Sequence, residues 1–143
     1  MIFEAEARIE RPAGEVWRHL TDPDLMTAWM TSIDDLKTAD GGPLREGSRL
    51  VFSARGAERD SDVVEFEAER RIALRSTQGP ITATYRYEMR PADGGATVVT
   101  LRADCVAKGL ATLITPLLRP LIRRTDGNQM ADLKRAVEAA QTV

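Results

Sequence analysis

The chain has 143 residues, 43% hydrophobic and 29% charged, which suits one globular domain over 1–143 with an ordinary core and excludes a disordered segment. Its net charge of −2 lacks the basic surplus of a nucleic-acid binder, so no nucleic-acid partner is expected. One cysteine and one histidine supply neither an internal disulfide nor a Cys/His zinc site, and no metal or cofactor is expected. Met1 to Glu6 lack the basic start and apolar run of a signal peptide, and no window is apolar for long enough to span a bilayer. The expected location is therefore a reducing cytoplasm, without stable membrane insertion.

Residues 2–10 alternate, with Phe3, Ala5, Ala7 and Ile9 on one face and Glu4, Glu6, Arg8 and Glu10 on the other, as in a half-buried strand. Pro12 then stands at a first helical position, where its missing N–H costs nothing, and Ala13, Val16, Trp17 and Leu20 follow at helical spacing. Thr21-Asp22-Pro23 ends that helix and begins another, with Asp22 as its cap and Leu25, Met26, Trp29 and Met30 as its apolar side.

Residues 33–46 read as irregular, with a turn at Asp40-Gly41-Gly42-Pro43. Strands resume at Gly47, where Leu50, Phe52 and Ala54 form one face. After a turn near Gly56, Val64, Phe66 and Ala68 form the next inward set, followed by Ile72 and Leu74. Gln78-Gly79-Pro80 turns the chain into a strand with Ile81, Ala83, Tyr85, Tyr87 and Met89 on one side. Asp93-Gly94-Gly95 reads as a hairpin tip, and Val99, Leu101, Ala103 and Cys105 return on the inner face. Short turns between consecutive strands require antiparallel pairing, with one dry face and one wet face.

Leu110, Leu113, Ile114, Leu117, Leu118, Leu121 and Ile122 recur at helical spacing, the densest apolar run in the chain and the natural cover for the sheet. The face centred on Leu117 and that centred on Leu133 and Val137 differ by roughly 150° at 100° per residue. Pro116, Pro120 and Gly127 therefore predict a kink or break in a long final helix. Arg119, Arg123 and Arg124 give that stretch a basic edge, but burying the seven apolar side chains is worth roughly 10–20 kcal/mol gross, which favours the core over a membrane surface.

The stretch Ile9-Glu10-Arg11-Pro12-Ala13-Gly14-Glu15-Val16-Trp17-Arg18-His19-Leu20-Thr21-Asp22-Pro23, followed by Trp29, resembles the opening of the START-like, or SRPBCC, superfamily. The end, Gln129 to Glu138 with Leu133-Lys134 and Val137-Glu138, is similar to its C-terminal helix. The resemblance covers the whole chain and points to the bacterial polyketide cyclase/dehydrase and lipid-transport type. It implies an α+β helix-grip fold. In that fold a curved antiparallel sheet of about six or seven strands, with two short helices after the first strand, wraps a long C-terminal helix and leaves an apolar cavity. Cavity residues vary within such a family, so no catalytic set is carried across.

Within that cavity the candidates are Trp29, Met30, Phe52, Phe66, Leu74, Tyr85, Tyr87, Leu101, Leu113 and Leu117. Trp29 and Met30 are included because the resemblance places the second short helix at a lip of the cavity. Tyr85 and Tyr87 share an inward face and need hydrogen-bond partners, which are either a ligand's polar group or nearby backbone and solvent. Asp62 falls on the inward register near a strand start, where exposure is favoured. His19 lies off the Val16/Leu20 face and reads as a surface residue. Cys105 reads as a buried inert thiol. No phosphate-binding loop and no Ser–His–acid or Cys–His pairing is evident. The leading expectation is a module that encloses a small hydrophobic molecule such as a lipid, polyketide or aromatic metabolite. The alternatives are a cyclase/dehydratase-like enzyme using the same cavity, and an interaction module without a ligand. Homodimerisation is left open.

Overall fold

Alternating apolar and charged residues, interrupted by Gly- and Pro-bearing turns, form a seven-stranded sheet in the computed structural model, which describes residues 2–30, 33–54, 56–107 and 129–140. The strands are β1 (Ile2–Ile9), β2 (Ile33–Thr38), β3 (Arg49–Ala54), β4 (Ala57–Glu67), β5 (Arg71–Gln78), β6 (Ile81–Ala92) and β7 (Ala96–Ala107). Their order is β1-β7-β6-β5-β4-β3-β2, and every neighbouring pair is antiparallel. The six strands from β2 to β7 therefore run as a meander, and β1 closes against β7 at the far edge. Gly56 at φ 77° turns β3 into β4, a backbone region that L side chains rarely enter.

Helix α1 (Ala13–Thr21) and helix α2 (Pro23–Met26) follow β1. Pro12 caps α1 rather than opening it, one position earlier than its spacing predicts. Asp22 caps α2 as expected, accepting from the Asp24 N–H at 3.0 Å. Residues 129–139 are helical and bury Met130, Leu133 and Val137, one face of the helix, in the main core cluster. Strand residues Ile72, Tyr87, Met89, Val99 and Leu101 belong to the same cluster, as do Val16 and Leu20 of α1 and Met26 of α2. The expected curved sheet, short helices and C-terminal helix are all present. The apolar run from Leu110 to Ile122, the kink at Pro116 and Pro120, the break near Gly127 and the basic edge at Arg119, Arg123 and Arg124 lie outside the described residues.

Four local expectations are corrected. Ile33–Thr38, expected to be irregular, is strand β2. Its register shifts between Asp34 and Lys37, with Asp35 at φ 54°, so the bulge hides the alternation that would reveal a strand. In β4 the register also shifts, between Val63 and Glu65. Val63 is consequently the fully buried residue in place of Val64, and Ala68 is exposed beyond the strand end. Asp62, read on the inward register, faces outward instead; it is exposed, as its place near the strand start predicts, and pairs with Arg49 at 3.2 Å across β3 and β4. His19 is buried at 6% exposure, donating from Nδ1 to the Glu15 carbonyl at 2.9 Å. It sits roughly 60° around the helix from Val16, within the reach of a wide apolar stripe.

Candidate functional site

Strand register decides which side chains meet on the concave face. Phe66, Ile72, Tyr87, Leu101 and Ala5 form one cross-strand row. Val63, Leu74, Tyr85, Ala103 and Phe3 form the next. Beyond it, Leu50 pairs with Ser61, and Ser76 pairs with Ala83 and then Cys105. The hydroxyls of Ser61 and Ser76 are hydrogen-bonded to each other and join the two halves of that row. The last row carries Phe52 opposite Arg59.

The first of these rows is solid. Trp29 is 1% exposed, stands edge-on to Tyr87 at 5.7 Å, and donates its indole N–H to the His19 carbonyl at 2.8 Å. Trp17 meets Phe66 edge-on at 5.4 Å. The Tyr87 hydroxyl donates to Gln129 Oε1 at 2.8 Å, which places the start of the helix over residues 129–139 above this row. From there the helix runs toward the end of β1. Lys134 Nζ donates to the Arg8 carbonyl at 2.7 Å, Arg11 Nη2 donates to the Glu138 carbonyl at 2.7 Å, and the Glu10 N–H donates to Glu138 Oε2 at 2.9 Å.

The rows at the other end carry shorter side chains. Ser76 and Ala83 are short, and short side chains on a concave face leave space above the backbone. A pocket of about 630 Å³ opens there, lined by Val51, Phe52 and Ala54 of β3, Glu58, Arg59 and Asp60 of β4, Ser76 and Thr77 of β5, and Ile81, Ala83 and Tyr85 of β6. Its size falls within the roughly 300–1,000 Å³ usual for small-molecule sites. Strand β6 thus carries both halves of the interior: Met89 and Tyr87 under the solid core, then Tyr85, Ala83 and Ile81 along the pocket.

Among the residues singled out from sequence, Phe52 and Tyr85 line this pocket. Trp29, Met30, Leu74, Tyr87 and Leu101 are buried in the core cluster, and Phe66 packs against it half-buried. Leu113 and Leu117 lie outside the described residues. Arg59, Ser76, Ile81 and Ala83 line the pocket without having been singled out. For Arg59 a signal exists in the sequence: a tight turn at Gly56 pairs Phe52 with Arg59 and carries the arginine to the inner face.

The outer face is ionic. Glu65 accepts from Arg86 at 2.7 Å and from Arg71 at 3.4 Å, and the Arg86 hydrogen bond holds its carboxyl below the ordinary glutamate value. Arg90–Glu6 and Arg102–Glu4 continue the pairing across β6, β7 and β1 at 3.5 and 3.9 Å. These groups lie across the sheet from the pocket and form a solvated charge ladder, each pair worth about 0–1 kcal/mol. Among the described residues no cluster of His, Cys, Asp and Glu has the arrangement of a metal site, and no helix is long and apolar enough to cross a membrane.

This geometry recurs in known structures. A protein from Mesorhizobium loti superposes with a TM-score of 0.76 at 17% identity, covering 99% of this chain and 100% of that one. A protein from Thermus thermophilus gives 0.73 at 22% identity, again covering 99% and 100%. DynU16, a putative protein in the dynemicin biosynthetic locus, gives 0.72 at 18% identity over 96% of this chain and 47% of that one. At such identities the likeness concerns the fold, which is the helix-grip fold. No curated protein matches the sequence. The family model for polyketide cyclase / dehydrase and lipid transport proteins matches residues 1–138, nearly the whole chain, and the chain belongs to that family.

Proposed function

We propose that the protein binds a small hydrophobic molecule in the pocket on the concave face of β3 to β6. The observation that carries this reading is the contrast within one sheet face. A packed core under the helix over residues 129–139 gives way, two residues further along β6, to a pocket of about 630 Å³ floored by Ser76 and Ala83 and walled by Phe52, Ile81 and Tyr85. A sheet that needed only to be covered would carry large apolar residues in those rows too. Membership of a family described by both cyclase/dehydrase and lipid-transport roles supports a ligand of lipid, polyketide or aromatic type.

Catalysis in the same pocket is the second reading. Tyr85 favours it, since its ring lines the pocket wall and a phenol can donate or relay a proton. Tyr87 and Asp62, the other groups considered for such work, are not among the described lining residues; they pair with Gln129 and Arg49.

Native mass spectrometry of gently purified protein, paired with titration of the neutral fluorophore N-phenylnaphthylamine, tests the binding reading. A co-purifying small molecule or saturable fluorescence at one site per chain is expected. Absence of both removes the reading. If a ligand is found, Tyr85→Phe separates the two uses: conversion of the ligand that stops in the variant while binding persists assigns catalysis.

A further inference from the structure

Two serines meet beside the pocket, and their hydrogens do not balance. Ser76 stands two residues beyond the buried Leu74 on β5, so it shares that face, and it lines the pocket. Ser61 of β4 is buried at 7% exposure and pairs with Leu50, itself 1% exposed. The two hydroxyls are hydrogen-bonded to each other. Each carries one hydrogen and two acceptor lone pairs, so the pair holds two hydrogens and spends one on the mutual bond. Among the described residues neither hydroxyl has another partner.

Burial decides which hydrogen is left over. If Ser76 donated to Ser61, the Ser61 hydrogen would be shut in without an acceptor, at the full desolvation cost of an unmade bond. If Ser61 donates to Ser76, the remaining hydrogen belongs to the half-buried serine that lines the pocket, where water or a guest can accept it. The second arrangement therefore prevails. A hydroxyl that already accepts a bond is also a better donor, because linked hydrogen bonds polarise one another. Ser76 thus offers the pocket a donor, in a lining shared with Phe52, Ile81 and Ala83.

Resting on the binding reading above, we propose that Ser76 is a specificity-determining contact of this pocket and selects an apolar guest that carries an uncharged oxygen acceptor. Ketones and ethers share this chemistry. Ser61 is the positioning residue, since its own donated hydrogen fixes which way the pair points. A guest with an N–H in the same place gains less, because it meets a hydroxyl already accepting from Ser61. A carboxylate brings a full charge that one hydroxyl does not offset, and Glu58 and Asp60 in the pocket wall repel it.

The test is displacement of N-phenylnaphthylamine from the full chain at neutral pH by tricyclic competitors of one shape. Fluorene, fluorenone and carbazole place a methylene, a carbonyl and an N–H at the same bridge, and fluorene-9-carboxylic acid adds a charge there. Fluorene corrects for any change in pocket size. In Ser76→Ala the affinity of fluorenone relative to fluorene falls about fivefold, equivalent to about 1 kcal/mol, while the carbazole-to-fluorene ratio holds. The Ser61→Ala/Ser76→Ala double variant leaves no orphaned hydroxyl, keeps the fold where the single variant strains it, and shows the same loss. A fluorenone-to-fluorene ratio that survives both variants, a loss that falls on carbazole instead, or a carboxylic acid that outbinds fluorenone in the parent overturns the assignment while leaving hydrophobic binding intact. Failure of the probe to bind at all overturns the binding reading and this inference together.

Discussion

Glu138 accepts from the Glu10 N–H at 2.9 Å and from Lys134 Nζ at 2.6 Å, and these donors, the backbone N–H foremost, hold its carboxyl below the ordinary glutamate value. A lowered folded value means that the unfolded chain takes up a proton more readily. The linked stability is therefore complete above the unfolded glutamate value, about 4.3, and drains away as pH falls from there through the lower folded value. Urea midpoints measured from neutral pH into this acid range should fall less steeply for Glu138→Gln than for the parent. Parallel acid profiles for the two proteins would show that the carboxylate contributes no pH dependence. Trp29 shows the same rule at a neutral group. An indole can be enclosed at 1% exposure because its N–H finds the His19 carbonyl.

The helix over residues 129–139 is held by one apolar face and by polar contacts at its two ends. Leu133 is fully buried, whereas Arg135, two residues on, has 77% of its side chain exposed and pairs with Asp132 of the same helix at 3.3 Å. Leu133→Ala should cost about 2–5 kcal/mol, the range for truncating a buried leucine, while Arg135→Ala should stay within about 0.5 kcal/mol. Equilibrium urea denaturation reads both. Equal effects would mean that the helix is not packed through this face. Elements of this kind were legible from sequence because a period of two or 3.6 residues survives along their whole length. The edges of legibility fall at the bulges. In β2, the left-handed Asp35 puts both aspartates outside and leaves Leu36 and Thr38 buried, a pattern that alternation alone does not announce. In β4 one inserted residue moves the buried position from Val64 to Val63. A bulge is a two-strand property, since it exists only relative to the partner's register, and a single strand's sequence cannot reveal it.

Among the described residues the inner face is packed at one end and lines a pocket at the other, and the pocket end was the less legible. Phe52 and Tyr85 were visible as large inward residues, but a pocket is made by what is small. Ala83 and Ser76 look like filler in a sequence, and Arg59 looks like an outward charge, until pairing places them on one face. Ala83 is where this view of the molecule is most sharply exposed to test. A phenylalanine there projects into the pocket, and its effect on stability depends on what it meets. In a well-packed interior, the added side chain forces strain of about 1–3 kcal/mol. In open space lined by Phe52 and Ile81, it instead buries apolar surface worth up to about 1.5–3 kcal/mol, so Ala83→Phe should melt no lower than the parent. The same ring should block the ligand. At a free N-phenylnaphthylamine concentration about 100 times its Kd, binding stabilises the parent by about 2.7 kcal/mol, a rise of about 5–10 °C for a chain of this size. Ala83→Phe should lose that rise while keeping its own melting temperature. A variant that melts well below the parent yet responds fully to the probe would place the guest elsewhere and fill this space with the protein's own side chains.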